Sequence, residues 1–366
     1  MLLVIFGAGA SYDSVPDLKP PDPPLSALRP PMQNTHYENE RPPLASQLFD
    51  NRPSFVEAMK RFPQCMPLIP LLRKEGVAVE QELARFQEQA ARFPQRHRQL
   101  AAIRYYLHFA IWECERVWRH RHVGITNYAT LLDEIERWRF EFNQWVCFVT
   151  FNYDPMLDIT MQEVLRFGIQ DLNSYVSHEN YMLIKLHGST NWGRELNITA
   201  SPQQFSHQRL IEEADKLPER VTDRYRIVTS HPMWMEGEKL VFPALSIPVE
   251  KKDEFSCPEA HVEVLKKMIP HVRKILTVGW RATEDKFLNL LFSNLNTTAP
   301  PDLMIVSGDV GGATETLNNL TTAGQTHGLR FSRKAEPIID GFTGLIRRLG
   351  QLEGFLRDTA AAAFRG

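Results

Sequence analysis

Five short apolar runs, each giving way to glycine or polar residues, constrain this chain more than any other feature. They are Leu2–Phe6, Val146–Phe151, Met182–Leu186, Ile275–Gly279 and Leu303–Ser307. Continuous apolar runs of this kind, rich in β-branched residues, are the mark of strands covered on both faces, the situation of a parallel sheet whose crossover helices lie on each side. Helix-period patterns separate most of the runs. The expected fold class is therefore α/β, a Rossmann-type parallel sheet that delivers the loops at its strand ends to one edge.

Between the first and second runs the pattern changes twice. The stretch from Pro16 to Leu44 holds nine prolines, among them Pro20-Pro21, Pro23-Pro24, Pro30-Pro31 and Pro42-Pro43. Proline fixes φ and removes a donor, so this segment is read as an extended loop. Three helical patterns follow: Val79, Leu83, Phe86, Ala90 and Phe93; then Leu100, Ile103, Leu107, Ala110, Ile111, Cys114 and Trp118; then Leu131, Ile135, Trp138 and Phe142. Residues 17–142 are thus expected to form a proline-rich loop plus a helical insertion between the first two strands. A last helix is expected over 342–366, with Leu345, Leu349, Leu352 and Leu356 on one face.

Composition narrows the class without choosing a function. With 366 residues and 43% apolar content the chain can bury a large core, and a net charge of -2 creates no overall demand for nucleic acid or an anionic membrane. Direct nucleic-acid binding is not expected, although the arginines of the insertion make it locally basic. The run RHRH at 119–122 places its two histidines two residues apart, which on a helix points them in different directions and favours a solvated helix end over a ligand pair. The four cysteines, Cys65, Cys114, Cys147 and Cys257, lie far apart and suggest neither a zinc module nor a disulfide framework, so no metal is expected. The apolar N-terminus lacks a basic flank and no run reaches the length of a membrane span, so the expected location is cytoplasmic.

The residues at the run ends carry the chemistry. The first run closes in FGAGAS, where Gly7 suits a tight turn and Gly9 lets a backbone approach an anion, although Tyr12 breaks the full G-x-G-x-x-G pattern. The second continues as Thr150-Phe151-Asn152-Tyr153-Asp154. In extended chain Asn152 and Asp154 share a face and offer an amide and a carboxylate to one ligand; an Asx turn before Pro155 is the structural alternative. The third ends in Lys185-Leu186-His187-Gly188, and a histidine at a strand end serves either as a hydrogen-bonded fixture or as a base. Gly279, followed by Trp280, ends the fourth. Asp309 follows the fifth, where an acid can hold a ribose diol or an adenine amine.

GAGAS at 7–11 with Val15-Pro16-Asp17, TFNYD at 150–154, KLHGS at 185–189 and GWRATED at 279–285 occur in that order. Together they resemble the sirtuin-like family of NAD-consuming proteins, more closely its bacterial antiphage-defence branch. The motifs cover residues 1–16 and about 146–310. The resemblance implies a single sirtuin-like catalytic domain over 1–366 that hydrolyses the nicotinamide–ribose bond of NAD and depletes cellular NAD. It implies His187 as general base on water or a ribose hydroxyl, Asn152 as the group orienting water and ribose, and Asp154 on the nicotinamide ribose. NAD contacts are implied at Gly7, Ala8, Gly9, Ala10 and Ser11 for the diphosphate, at Gly188 leaving room for the ribose, at Gly279 and Trp280, and at Asp309 for the adenosine end.

Two departures shape the activity. Sirtuin deacylases carry a glutamine where this chain has Phe151, and they carry a four-cysteine zinc module. NAD hydrolysis therefore stands ahead of protein deacylation, with a catalytically silent NAD or ADP-ribose sensor as the reading from another class. The resemblance also implies a homo-oligomer and a protein partner such as a HerA-type ATPase.

Overall fold

The computed structural model describes residues 1–15, 40–74, 78–198, 206–228, 235–236, 239–247 and 255–358. Most of the proline-rich stretch, residues 16–39, lies outside them. All five apolar runs form strands, β1 (Leu2–Phe6), β2 (Val146–Thr150), β3 (Tyr181–Lys185), β8 (Lys274–Val278) and β9 (Asp302–Val306), and every residue in them is buried. They pair in the order β3-β2-β1-β8-β9, all parallel. The fold class is α/β with a parallel sheet.

Register fixes where the loops emerge. Lys185, Thr150, Phe6, Val278 and Val306 stand opposite one another across the sheet, so all five strands end in one row. The chain winds outward from β1 to β3, then jumps back past β1 to β8 and β9. Right-handed crossovers put the helices of these two halves on opposite faces. The Asn127–Phe142 helix packs with Met156–Leu165 and with the C-terminal helices, and Asp285–Asn294 packs with Glu259–Met268 and Val310–Thr326.

A second sheet departs from the expected layout. Residues 188–245 supply β4 (Gly188–Leu196), β5 (Val221–Ile227), β6 (Met235–Glu236) and β7 (Lys239–Leu245), antiparallel in the order β5-β4-β7-β6. Apolar residues of this sheet and its short helices, including Phe242, Leu245, Leu210 and Ile211, merge with the helical insertion into a second core. The insertion holds the three expected helices, at Val79–Ala90, Gln95–Arg121 and Asn127–Phe142, plus Pro53–Arg61 and a short turn at Ile69–Leu72.

Gln95–Arg121 joins the two cores. Its centre is buried nearly all round, Phe109 and Ile111 packing in the second core, while Trp118 packs in the first. A helix apolar on every side has no face to give to water, and here it has two neighbours to fill. Its end, RHRH, is surface: Arg121 pairs with Glu40, Arg119 with Glu115, and His122 lies edge-on to Trp118.

The expected C-terminal helix is two helices, Gly341–Arg347 and Leu349–Arg357, with residues 359–366 outside the described set. Arg348 leaves helical geometry at φ -122, ψ 41. The break lets Phe342 and Leu345 of one piece, and Leu352 and Leu356 of the other, all reach the first core. The first piece is also tied down at its start, where Asp13 accepts from the backbone N–H of Thr343 at 2.8 Å and from its hydroxyl at 2.8 Å.

Candidate functional site

The strand-end row brings Ser11, Asn152 and Asp154 together. Asn152 Nδ2 donates to Ser11 Oγ at 2.9 Å and reaches the Tyr128 hydroxyl at 3.4 Å, and Ser11 and Tyr128 share a hydrogen bond of 3.0 Å. The other end of the amide, Asn152 Oδ1, is closed off from solvent and has no partner. An interior carbonyl left unpaired costs about 1 to 3 kcal/mol. Asp154 is buried and in hydrogen-bond contact with Ser11. Burial raises its carboxyl above the ordinary range, and the nearby Lys185 charge and the Ser11 bond oppose that rise. One of its oxygens accepts from the Met156 N–H at 3.1 Å, the Asx turn that starts the next helix.

The backbone of this segment is held from several sides. Asn152 N–H donates to Thr150 Oγ1, while the Tyr153 carbonyl takes the Thr190 N–H at 2.8 Å and the Ser189 hydroxyl at 3.1 Å. Lys185 Nζ, with no exposed surface, donates to the Asp154 carbonyl at 2.7 Å and to Asp158 Oδ2 at 2.7 Å. Tyr175 donates to the other Asp158 oxygen at 2.6 Å and receives the Trp192 indole N–H at 3.2 Å. A buried ion pair holds only when its remaining hydrogen-bonding capacity is met, and this chain of partners meets it.

His187 is buried, in the turn between β3 and β4. Its ring stands edge-on to Phe151 at 4.8 Å and 6.1 Å from Tyr153. Phe151 stacks on Trp280 at 5.5 Å with their planes 9° apart. These aromatic contacts link the β3 end with the β2 and β8 ends.

Four of the expected contact residues have uses inside the fold. Gly188 has φ +78, and a Cβ there would penetrate the Ala244 carbonyl, so the close approach it permits is to the second sheet. Gly7 is extended at φ -110, ψ -177, which any residue adopts; it is small because a Cβ would sit 2.5 Å from the Gly279 carbonyl oxygen. Gly9 likewise faces Gly279, and its N–H is taken by the Gly279 carbonyl at 3.1 Å. With Gly279 at φ +60, the β1 and β8 ends pack backbone to backbone. Asp309 is exposed and caps the Val310–Thr326 helix, accepting from Gly312 N–H at 2.7 Å, so one of its oxygens already has that use. Ala8 is half-buried and Ala10 buried in the short Ala8–Tyr12 helix.

Sequence reasoning missed Tyr128 and the Lys185 network. Only folding brings Tyr128 beside Ser11, but Lys185 was visible as a lysine inside an apolar run. Two clefts lie elsewhere: one of about 360 Å³ is lined by Glu57, Arg61, Phe109 and Cys114, and neither it nor a smaller one beside Trp138 and Leu349 includes Asn152 or His187. Among the described residues no three histidine, cysteine or acidic side chains gather as metal ligands, and the four cysteines are buried, free and pushed up to about 12 by burial. No described helix is long and apolar enough to cross a membrane.

No family model matches the chain, and no curated protein matches it. Solved structures similar to it include two mutants of a Sir2 homologue in complex with ADP-ribose. Each is 13% identical, with 96% of this chain and 93% of that chain covered and TM-scores of 0.34 and 0.35. Another is a Sir2 homologue in complex with NAD, 12% identical, with 95% and 90% covered and a TM-score of 0.34. At those scores the superposition gives no residue of this chain a role.

Proposed function

We propose that the chain is an NAD hydrolase that cleaves the nicotinamide–ribose bond. The observation that carries this reading is the unpaired Oδ1 of Asn152, buried beside Ser11 and Asp154 at a row of parallel strand ends, the edge at which open α/β sheets take ligands. The motif order read from the sequence supplies the ligand class. Nicotinamide departs as a neutral group from a cationic ribosyl pyridinium, so the site has to place the ribose, exclude bulk water and admit one nucleophile. Asn152 accepts from a ribose hydroxyl or the attacking water through Oδ1. His187 takes the proton from water, directly or through the ribose. Asp154 and Ser11 hold the amide in orientation. Lys185, through the Asp154 carbonyl, fixes the segment that carries both. The setting, on the sequence resemblance alone, is antiphage defence with a partner ATPase.

The test is incubation of purified protein with NAD and chromatographic resolution of nicotinamide and ADP-ribose. His187→Ala and Asn152→Ala are each expected to lower nicotinamide release at least about a hundredfold, the scale of a positioned proton-transfer group. Their melting temperatures should stay within about 5 °C of the parent. No nicotinamide from the parent chain, alone or at high concentration, sinks the reading.

A further inference from the structure

Tyr128 reaches the strand-end row from the Asn127–Phe142 helix, outside every motif read from the sequence, and its hydrogen bonds have a direction. The side chain is buried, and burial, with the Asp154 charge after it, holds the phenol above its ordinary range, so it keeps its proton. That proton needs an acceptor. Of the two polar groups beside the hydroxyl, Asn152 Nδ2 at 3.4 Å is itself a donor, which leaves Ser11 Oγ at 3.0 Å. Tyr128 therefore donates to Ser11. Ser11 accepts a second bond from Asn152 Nδ2 at 2.9 Å, and its own proton is then free for Asp154, with which it is in hydrogen-bond contact.

The consequence falls on the Asn152 amide. Its two ends differ little in shape and are told apart by their partners. With the amide as it stands, both hydroxyl oxygens face its donor end, and Oδ1 lies on the other side without a partner. Were the amide turned over, Oδ1 would meet two hydroxyl oxygens whose protons are already committed, one to Ser11 and one to Asp154. The tyrosine is also held in place. Its ring stands edge-on to Phe6 at 5.3 Å and to Phe342 at 5.2 Å, and the neighbouring Asn127 side chain donates to the Asp13 carbonyl at 2.7 Å and to Thr343 Oγ1 at 3.1 Å.

We propose that Tyr128 is a positioning residue for the reaction: by donating to Ser11 and accepting from Asn152, it locks the Asn152 amide in the one orientation that leaves Oδ1 for the substrate. What Oδ1 receives rests on the hydrolase reading; the lock itself does not. The helical insertion, which carries none of the sequence motifs, thereby supplies a working part of the site.

Tyr128→Phe keeps the ring and removes only the hydroxyl. The kcat for nicotinamide release is expected to fall at least about tenfold with KM within about threefold of the parent, and the melting temperature should stay within about 5 °C. In an Asn152→Ala background the same change should alter the residual rate by less than about twofold, because a residue acting through the amide has nothing left to act on. The lock is read without substrate by NMR of protein carrying isotope-labelled asparagine, the Asn152 amide signal being the one that Asn152→Ala removes. Its protons are expected to exchange with solvent at least about tenfold faster in Tyr128→Phe. A parent chain that releases no nicotinamide ends the hydrolase reading, and this exchange rate still decides the lock. Should Tyr128→Phe fail to fold, the Tyr128 hydroxyl proton is followed through ζ-carbon-labelled tyrosine in the parent and in Ser11→Ala, where its exchange should quicken. Parent-like kcat in Tyr128→Phe, an undiminished effect in the Asn152→Ala background, unchanged amide exchange, or unchanged hydroxyl exchange in Ser11→Ala each overturns the assignment.

Discussion

Beneath the strand-end row, Lys185 is fully buried with Asp158 at 2.7 Å, and Tyr175 and Trp192 complete the partners around that carboxylate. On the Gln95–Arg121 helix, Arg104 is half-buried with its guanidinium over the Phe242 ring and no described carboxylate paired with it. Both cations come from long apolar elements, a strand in one case and a helix in the other. The first has its counter-charge built into the fold, so its attraction is spent on holding the Asn152–Asp154 backbone. The second lies over the Phe242 ring with its Nε unpaired. Asn152 belongs to the first region by location but resembles the second in kind, because half of its amide is satisfied and half is left open. Polar groups answered on all sides build the site; Asn152, answered on one side, is where the proposed function places its ligand.

The largest expected effects test how tightly the first region is packed. Gly188→Ala and Gly279→Ala each place a Cβ against backbone at positive φ, and both should lose more than about 4 kcal/mol or fail to accumulate as soluble protein. Gly168, with open space around it, is the control, and Gly168→Ala should be neutral within about 1 kcal/mol. Chemical denaturation measures all three. If Gly188→Ala retains parent stability, the second sheet does not hold the His187 turn in the way described.

Lys185→Met should cost about 3 to 5 kcal/mol, because it strands Asp158 in the interior. Arg194→Met, which loses a pair with an exposed aspartate, should cost less than about 1 kcal/mol. If the two losses prove similar, the contrast between a self-sufficient network and a surface pair collapses. A double change, Lys185→Met with Asp158→Leu, sharpens it: recovery of much of the loss shows that the stranded charge, and not the missing packing, was responsible.

How much of this was legible in the sequence follows from which side chains each element shows to water. β1, β2, β3, β8 and β9 are buried on both faces, so each wrote itself as a continuous apolar run, and the α/β sheet could be read directly. β4 and β5, GSTNWGREL and VTDRYRI, carry charge and are partly exposed, and no comparable run marks them. The second sheet was therefore invisible, and with it the close approach of Gly188 to the carbonyl of Ala244. Asn152, Asp154 and Ser11 were found as candidates because strand ends are where this architecture places functional groups. Their joint geometry with Tyr128 depends on register and helix packing, which no local pattern encodes. Arg104 sits in an apolar helix pattern that reads equally well with an arginine snorkelling to solvent.

The Gln95–Arg121 helix carries a titrating group where it passes between the two regions. Glu115, 2% exposed, is raised to about 7 by burial first, with the Arg119 charge opposing and the Asp154 charge adding to the rise. Between pH 4.5 and 7 the folded chain keeps this proton while the unfolded chain has released it. The stability this group permits is therefore full below about 4.5 and is lost as pH rises through 7. The shift from 4.5 to about 7 corresponds to about 3 kcal/mol. Glu115→Gln should flatten the fall in melting temperature over that window and leave the variant more stable than the parent at pH 8. An unchanged pH slope places the titration elsewhere.

The smallest effect separates a cap from a contact. Asp309→Ala removes the side chain that accepts from Gly312 N–H at the start of the Val310–Thr326 helix, so a loss of about 1 kcal/mol is expected from capping alone. Asp309→Ser keeps a capping oxygen and should restore most of it. On the structural reading the exposed carboxylate does nothing more, and the KM for NAD in both variants stays within about twofold of the parent, a change worth less than about 0.5 kcal/mol. On the reading from the sequence, in which Asp309 holds the adenosine end, both variants lose affinity whatever their stability. A tenfold rise in KM in Asp309→Ser, with stability restored, returns Asp309 to the ligand; a KM that tracks neither substitution leaves it as the start of a helix.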